Sequence, residues 1–426
     1  MNEIEHALRQ LVPGTDPLAI SRVLRRLLPP ELAREAAELF ELRRRAVGKF
    51  PNPGAGLFTR KGLEQATRAP IARARAERIA RLAPPSAAAP GTSGASAALC
   101  HDATCGLGAD AIALAAAGLR VVASDLDLRT AVCARANLAA AGHPQWALVA
   151  DALQAPLSAS ILLVDPDRRN TGRRSLEPES WSPTLTETLR LAARYEGACI
   201  KLAPSIEAAD LHAALPPDLP YTLEWISHSR ELCEVALWTG CLAGVPSVDV
   251  GIHEVLALEV GPQATTGRIS GRPVEVVSLP PSGVSGISWL CDPDPAVIRS
   301  GLLGLLSLEL GLAPIAPRLA WLGGREQPDS PLLRSWRVLD QTSADPKRVR
   351  AMLARHDIGP VRVMKRGHPD RPEALERRFR GRGSRRGLVA VARLEQGHAA
   401  FLLEDAPGEG PGLVGDKGFE PPTSSL

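Results

Sequence analysis

Apolar residues recur at helical spacing through the first part of the chain. The stretches Leu32 to Arg45 and Leu63 to Leu82 show this spacing, and a turn-rich break at residues 49–54 separates them. An apolar stripe that repeats every three or four residues is typical of an amphipathic helix. We therefore expect residues 1–83 to form an N-terminal helical domain, followed by a flexible linker rich in Ala, Pro, Ser and Gly.

From residue 97 the chain alternates short apolar runs with Gly-containing turns and helical stretches. Such alternation is typical of a parallel sheet with helices on both faces. Two later runs are separated only by residues 228–231, which is enough for an antiparallel hairpin and too short for a parallel crossover. We therefore predict an α/β, seven-stranded, Rossmann-like domain over residues 97–245. The strand-like runs are Ala98 to Asp102, Leu119 to Ser124, Trp146 to Val149, Ser160 to Val164, Ala198 to Leu202, Tyr221 to Ser227 and Leu232 to Thr239.

The remaining chain divides into three segments by composition. Residues 246–290 are rich in Val, Gly, Ser and Pro, and we expect a β-rich connector of short antiparallel strands. Helical and strand-like runs predict a smaller α/β module over residues 292–404. The Gly- and Pro-rich tail, residues 405–426, is expected to be disordered. Because residues 418–422 can be encoded by the usual T-arm sequence of a tRNA gene, we hypothesise that the reading frame runs into such a gene.

Cysteine spacing and the lack of long apolar runs narrow the functional classes. None of the seven cysteines forms a C-x-x-C pair or clusters with His at zinc spacing, so we expect reduced core thiols and no metal site. The first residues lack the basic and apolar regions of a secretion signal. No run of about 18 apolar residues occurs, so we expect a cytoplasmic protein that does not associate with membranes.

A Gly-containing turn follows the first predicted strand of the α/β domain. Its two glycines let the backbone approach a ligand closely, and an acid at the strand end can hold an amino group. The glycine spacing also fits a dinucleotide site, but a carboxylate is unfavourable beside a pyrophosphate and favourable beside the cationic methionine part of S-adenosylmethionine. A purely structural turn is the alternative. We predict that this cofactor binds to Asp102, Thr104, Gly106, Gly108 and Asp110.

Polar side chains also follow the other strands of this domain. Asp125 lies about 20 residues beyond the glycines, where a carboxylate can accept hydrogen bonds from both ribose hydroxyls. Asp151 closes the third strand, where it can reach the adenine amino group or act as an ordinary helix N-cap. Lys201 ends the fifth strand and can face either the pocket or the surface. We include Asp125 and Asp151 in the predicted cofactor site.

The fourth strand ends in Asp165-Pro166-Asp167-Arg168-Arg169, at the sheet edge where α/β proteins bind ligands. Amino-group methyltransferases have a short loop here that begins with Asn, Asp or Ser followed by Pro, and Asp165-Pro166 matches that start. Arg168 stands where this loop has an aromatic; it could stack on a base or, with Arg169, bind phosphate. We predict Asp165, Pro166 and Arg168 as catalytic residues. A charged turn after a buried strand is the alternative.

These motifs together resemble the bacterial class I S-adenosylmethionine-dependent methyltransferases that carry a THUMP-like C-terminal domain. The resemblance implies S-adenosylmethionine as the cofactor and RNA as the substrate, with the THUMP-like domain over residues 292–404. The helix predicted within residues 58–67 could cover the cofactor pocket or serve only for packing. The resemblance rests on Phe58 to Thr67, Asp102 to Asp110, Val164 to Arg169 and Lys365-Arg366-Gly367.

Basic side chains dominate one part of the C-terminal module. Between Lys347 and Arg393 there are fifteen basic and only four acidic residues. Such a concentration favours binding to the phosphate backbone, with strong salt dependence, although a merely solvated face is the alternative. We predict that RNA binds to Arg169, Lys365, Arg366, Arg378 and Arg382.

The predicted function is N-methylation of an exocyclic amino group on a base of tRNA or rRNA. One alternative is a methyltransferase that acts on a small molecule or a protein, in which the basic module serves only for packing. The other is a non-catalytic RNA-binding protein that retains the cofactor fold as a vestige.

Overall fold

The computed structural model describes residues 2–11, 16–85, 97–154, 159–167, 169–170, 173–174, 178–216, 219–244, 251–259 and 265–404. The tail at 405–426, with its predicted disorder and read-through origin, lies outside these ranges, as does most of the predicted linker. The chain forms two compact units. The first comprises Met1–Pro273 and Pro295–Leu302, and the second comprises Val274–Asp294 and Leu303–Leu426.

The first unit is built on a nine-stranded sheet. The strands are β1 (Leu99–Asp102), β2 (Arg120–Asp125), β3 (Ala147–Val149), β4 (Ile161–Val164), β7 (Gly197–Leu202), β8 (Tyr221–His228), β9 (Glu231–Gly240), β10 (Ile252–Leu258) and β11 (Thr266–Gly271). Two short strands, β5 (Arg169–Asn170) and β6 (Arg173–Arg174), pair only with each other in the described part of the chain. The order across the sheet is β11-β10-β8-β9-β7-β4-β1-β2-β3.

The seven predicted strands lie together at one side of this sheet, and their arrangement follows the sequence pattern. Strands β3, β2, β1, β4 and β7 are parallel. The last two predicted strands form the expected hairpin, since β9 is antiparallel to both β7 and β8. Every residue of β4 and β7 is buried, as expected for central strands covered on both faces.

The predicted connector over residues 246–290 does not stand apart from this sheet. Its strand β10 runs parallel to β8 and buries Val255, Leu256 and Ala257, and β11 pairs antiparallel with β10 at the edge. Strands β10 and β11 therefore extend the first sheet from seven strands to nine. The first segment of this unit therefore extends to Pro273.

Helices cover this sheet, and several have identifiable caps. The Asp16 carboxylate accepts a hydrogen bond from Leu18 N, and the Thr59 hydroxyl accepts one from Gly62 N, so each satisfies an N–H group left free at a helix start. The helices of the first unit are α1 (Asn2–Leu8), α2 (Pro17–Leu27), α3 (Pro30–Arg45), α4 (Arg60–Gln65), α5 (Ala69–Leu82), α6 (Ala109–Ala116), α7 (Leu128–Ala140), α8 (Leu185–Ala192), α9 (Ala208–Ala214) and α11 (Pro295–Arg299).

The N-terminal helices belong to the same compact unit as the sheet, rather than forming a separate domain over residues 1–83. Helix α5 is the reason. Its Ile71 and Ile79 are buried in the same apolar cluster as residues of the sheet. Its Arg75 and Arg78 are also buried, and they pair with carboxylates carried by β8, β9 and β10 and by α6.

The second unit has the predicted α/β character, with a seven-stranded sheet in the order β13-β14-β12-β15-β18-β17-β16. Its strands are β12 (Trp289–Pro293), β13 (Ala313–Pro314), β14 (Leu322–Gly324), β15 (Leu333–Ser343), β16 (Ile358–Arg366), β17 (Arg385–Leu394) and β18 (Gly397–Leu403). Its helices are α10 (Pro281–Val284), α12 (Leu303–Glu309), α13 (Pro346–Arg355) and α14 (Pro372–Phe379). None of the described helices has the length and apolar character needed to cross a membrane.

Candidate cofactor and catalytic site

Strand register brings the predicted site residues to one edge of the first sheet. Asp102 at the end of β1 pairs with Ala123 of β2 on one side and Leu163 of β4 on the other. The chain then leaves these strands through Asp125 and Asp165. Because the carboxyl ends of neighbouring parallel strands meet at the same edge, the three acids converge on the turn that contains Gly106 and Gly108.

The glycines of this turn adopt the conformation that their residue type favours. Gly106 has φ +54° and Gly108 has φ +83°, a region that side chains other than glycine rarely enter. A Cβ at Gly108 would contact Ala134 at 3.4 Å, whereas a Cβ at Gly106 would meet no described atom within 4 Å. The turn therefore packs closely against α7 at Gly108 and leaves open space for a ligand at Gly106.

Asp125 is held in place by the backbone around it. Its Oδ2 accepts a hydrogen bond from Gly106 N at 3.0 Å, and its Oδ1 accepts one from Asp127 N at 3.0 Å. A carboxylate oxygen can accept a second hydrogen bond, so both oxygens remain able to bind hydroxyl groups. Partial burial raises the pKa of Asp125 above its usual value, and the two N–H donors oppose this shift.

Asp102 is buried, with 3% of its surface exposed, and its Oδ2 has no hydrogen-bond partner among the described residues. Burial raises the pKa of Asp102 well above its ordinary value, and nearby Asp110 and Asp165 add to that shift, while Lys201 and Arg75 oppose it. A buried carboxylate oxygen without a partner is energetically costly. A cationic group such as an amino group would compensate this cost, so the residue fits its predicted role.

The carboxylate of Asp110 has several partners within the protein. Its carboxylate is engaged by Arg75, by the Thr67 hydroxyl at 2.7 Å and by Lys201 Nζ at 3.4 Å. Although burial acts to raise the pKa of Asp110, Arg75 and Lys201 hold it at about 2. These contacts join the N-terminal helices to the sheet, and cofactor binding by Asp110 stays a prediction.

The loop after β4 is fixed by side chains from two neighbouring strands. Asp165 N donates a hydrogen bond to the Thr104 hydroxyl at 2.6 Å. Thr104, which we predicted to bind the cofactor, therefore also supports this loop. Lys201 Nζ lies 2.5 Å from Asp165 Oδ2, so Lys201 faces the site and not the surface. Pro166 is buried. These contacts hold the loop in place, while 39% of the Asp165 side chain remains exposed.

Further along the loop, Asp167 exchanges two backbone hydrogen bonds with Ser182, and its Oδ2 lies 3.4 Å from Lys61 Nζ of α4. Arg168 lies outside the described residues. Arg169 begins β5, but the position of its side chain is not described. The predicted roles of both arginines therefore stay predictions.

Helix α4 lies over the Gly-containing turn, as one of the two interpretations of residues 58–67 requires. A Cβ added to Gly62 would approach the Leu107 side chain to 2.8 Å. Asn137 of α7 donates to the carbonyls of both Leu57 and Leu107, at 3.0 and 2.9 Å, and joins the two segments. Lys61 is a residue that the sequence analysis missed; only its tertiary position relates it to the site.

Asp151 forms local hydrogen bonds at the same sheet edge. Its Oδ1 accepts from Leu153 N at 2.9 Å, and its Oδ2 accepts from Gln154 Nε2 at 3.2 Å. These contacts fix the turn that follows β3, close to where Ala150 N donates to the Asp125 carbonyl. The described residues after Asp151 form a turn and not a helix, so these contacts are those of a turn, and adenine binding stays a prediction.

The predicted RNA-binding residues of the second unit differ in their surroundings. Lys365 Nζ donates to the His368 carbonyl at 2.8 Å, and Arg366 pairs with Asp292 at 2.7 Å and lies over the Trp321 ring. Arg378 pairs with Asp370, and Arg382 is exposed. Between residues 347 and 393, the other exposed basic residues are Lys347, Arg348, Arg350, Arg355, Arg362, Arg371, Arg377, Arg380, Arg385, Arg386 and Arg393. Lys365 and Arg366 therefore also have structural partners, whereas Arg382 is open to solvent.

The chain is similar to known methyltransferases in sequence and in fold. Residues 333–405 match the sequence model of the THUMP domain-like family. Two sequences from strains of Mycobacterium tuberculosis, each named an uncharacterised S-adenosylmethionine-dependent methyltransferase, are 34% identical over 370 residues, which is 85% of this chain and 93% of theirs. A crystal structure described as a putative methyltransferase from Porphyromonas gingivalis aligns with a TM-score of 0.68 at 18% identity and covers 92% of this chain and 99% of its own.

Proposed function

This chain belongs to the family of S-adenosylmethionine-dependent methyltransferases, and from that membership we propose that it methylates an exocyclic amino group of a base in RNA. The observation that carries the proposal is the position of Asp165 at the edge of the sheet beside the Gly-containing turn, where Lys201 holds its carboxylate and the Thr104 hydroxyl holds its backbone N–H. A small-molecule or protein substrate is a weaker candidate, because neither accounts for the basic surface of the second unit.

The edge residues fit the parts of the cofactor. We assign the methionine amino group to the buried Asp102, whose Oδ2 lacks a partner among the described side chains. We assign the ribose hydroxyls to Asp125, because both of its carboxylate oxygens can still accept hydrogen bonds. At Gly106, the open space lets the cofactor approach the protein backbone. When bound, S-adenosylmethionine supplies a methyl group on a positively charged sulfur.

Asp165 and Pro166 would orient the substrate. The free oxygen of Asp165 and the Pro166 carbonyl can each accept a hydrogen bond from the target NH2 group. Two such bonds would hold both N–H groups and leave the nitrogen lone pair free to point at the methyl carbon. No strong base is required, because the amine can lose its proton after transfer; alignment of the reacting atoms provides most of the rate.

The second unit supports RNA as the class of substrate. Its exposed arginines and lysines are concentrated on α13, α14 and residues 380–386, with few acidic neighbours. Such surfaces bind phosphate backbones through counterion release. The THUMP-like match covers these elements and points to the same class of partner, without naming the RNA or the base.

The test is methyl transfer from radiolabelled S-adenosylmethionine to total RNA from cells that lack the gene. We expect labelling by the wild-type protein and a loss of at least about 100-fold with Asp165→Ala, because the amine would no longer be oriented. Calorimetric binding of S-adenosylmethionine should survive in Asp165→Ala and be lost in Asp125→Ala. Full turnover by Asp165→Ala would remove its assigned role, and label found only in protein would overturn the RNA substrate.

A further inference from the structure

We propose that Lys201 is a positioning residue that fixes the orientation of Asp165 and makes this orientation depend on the N-terminal helices. This inference rests on the proposed function, because it concerns how Asp165 meets the substrate. Its basis is a set of contacts around Lys201 that the resemblance to known methyltransferases does not include.

Strand register explains why the two residues meet. In the parallel pair β4 and β7, Val164 lies opposite Ile200. Asp165 directly follows β4, and Lys201 is the next residue of β7, so the two residues lie beside each other at the carboxyl edge of the sheet. Both strands are buried, so the Lys201 side chain reaches Asp165 within the protein, where solvent competes little for the ion pair.

The Lys201 ammonium group has a partner for each of its three N–H bonds. Nζ lies 2.5 Å from Asp165 Oδ2, 2.8 Å from the Thr67 hydroxyl and 3.4 Å from Asp110 Oδ2. Only 8% of the residue is exposed. Burial acts to lower the pKa of Lys201, but Asp165 and Asp110 raise it above its usual value. The side chain is therefore a permanent cation without a spare donor, which excludes roles as a general base or as a direct substrate ligand.

The consequence for Asp165 is that its two oxygens become different. Oδ2 is held by Lys201, and the backbone N of the same residue is held by Thr104, so the carboxylate has little freedom to rotate. The partly exposed carboxylate then has one oxygen left to accept a hydrogen bond from the substrate amine. A carboxylate that is already fixed loses less conformational entropy when the substrate aligns with it, which lowers the barrier to the reaction.

The support extends into the N-terminal helices. Thr67 precedes α5 and donates to Asp110, while Arg75 of α5 pairs with both Asp110 and Glu234. Asp110 and Thr67 are in turn two of the three partners of Lys201. A continuous series of polar contacts therefore runs from α5 to Asp165, and its members Arg75, Asp110 and Lys201 are largely buried, whereas Asp165 at its end is partly exposed.

The experiment compares Lys201→Met with Lys201→Arg and with Arg78→Met. Arg78 is a matched control, because it is a buried cation of α5 that pairs with Glu224 and Glu254 instead of with the site. Using methyl transfer to total RNA from cells lacking the gene, we expect Lys201→Met to lower turnover at saturating RNA by about 100-fold. Lys201→Arg should recover part of this loss. Calorimetric affinity for S-adenosylmethionine should fall much less than turnover in Lys201→Met, because Lys201 affects the cofactor only by opposing protonation of Asp102.

The control separates positioning from folding. Arg78→Met should lower the melting temperature while leaving turnover per folded molecule unchanged. Turnover that persists in Lys201→Met would overturn the proposal. So would a loss of turnover matched by an equal loss of cofactor affinity, because it would indicate general damage to the site.

A second measurement does not depend on the substrate. Selective 13C labelling of aspartate carboxyl carbons, with Asp165 assigned from an Asp165→Asn sample, reports the surroundings of that carboxylate directly. Lys201→Met should move the Asp165 signal, and Arg78→Met should leave it in place. If wild-type protein methylates no RNA but the signal moves as expected, the proposed function fails and the positioning contact stands; an unmoved signal overturns the contact itself.

Discussion

In the first unit Arg75 and Lys201 are almost completely buried, and each contacts two carboxylates, whereas in the second unit Arg382 and most of its basic neighbours are exposed. The residue types are the same, but their energetics differ. A buried cation without its partner leaves uncompensated charge, and an exposed one loses only a screened interaction. Buried cations therefore determine the shape of a site, and exposed cations contribute attraction that sums over many residues.

The largest expected effect follows from removal of a buried cation. Arg75→Met would leave Asp110 and Glu234 buried without their main partner, and we expect a loss of about 3–5 kcal/mol of unfolding free energy. Denaturant unfolding measures it. The matched change in the second unit is Arg377→Met on α14, which should cost less than about 0.5 kcal/mol because that side chain is exposed. Equal losses of unfolding free energy in the two variants would show that buried and exposed cations contribute alike in the two units.

An intermediate effect should appear as pH dependence of cofactor binding. Because burial raises the pKa of Asp102, the carboxyl group is protonated over a wider pH range than an ordinary aspartate. A cationic amino group binds the deprotonated form, so affinity for S-adenosylmethionine should rise with pH, by at most about tenfold per unit, until the pKa of Asp102 is passed. Calorimetry at several pH values measures this. In Asp102→Asn the affinity should be weaker and the slope absent; an unchanged slope would assign the dependence to another group.

The smallest effect per residue is expected on the exposed surface. With bulk tRNA as the probe, the logarithm of affinity should fall steeply with the logarithm of salt concentration, and Arg382→Gln should reduce that slope by about one. Arg366→Gln is the control. Because Arg366 pairs with Asp292, this substitution should change the stability of the protein more than the salt dependence of binding. Equal slopes for wild type and Arg382→Gln would show that this arginine does not contact phosphate.

Much of the site could be predicted because the strand ends are marked locally. Asp102, Asp125 and Asp165 each follow an apolar run, and parallel strands bring such ends together without further information. Gly106 and Gly108 are marked in the same way, since the tight turn between strand and helix requires their positive φ angles. These predictions depend on neighbours in sequence and on one general property of parallel sheets.

The contacts that the sequence does not indicate depend on partners distant in sequence. Asp110 lies within the Gly-containing motif, but its contacts come from Arg75 and Lys201, which are 35 residues before it and 91 residues after it. Nothing in the motif distinguishes an acid that faces a cofactor from one that binds an arginine of another helix. The separate connector was predicted for a similar reason, since its composition does not indicate which sheet its strands join.

The path of the chain between the two sheets also limits how the protein can be divided. Strand β15 pairs on one side with β18 and on the other with β12, a strand that ends at Pro293, and the chain then contributes Pro295–Leu302 to the first unit before it returns. A fragment with the bounds of the THUMP-like match, residues 333–405, would therefore lack β12 and leave β15 with unpaired backbone groups. Such an edge pairs readily with other chains, so we expect this fragment to aggregate, and a soluble piece must include residues from Val274 onward.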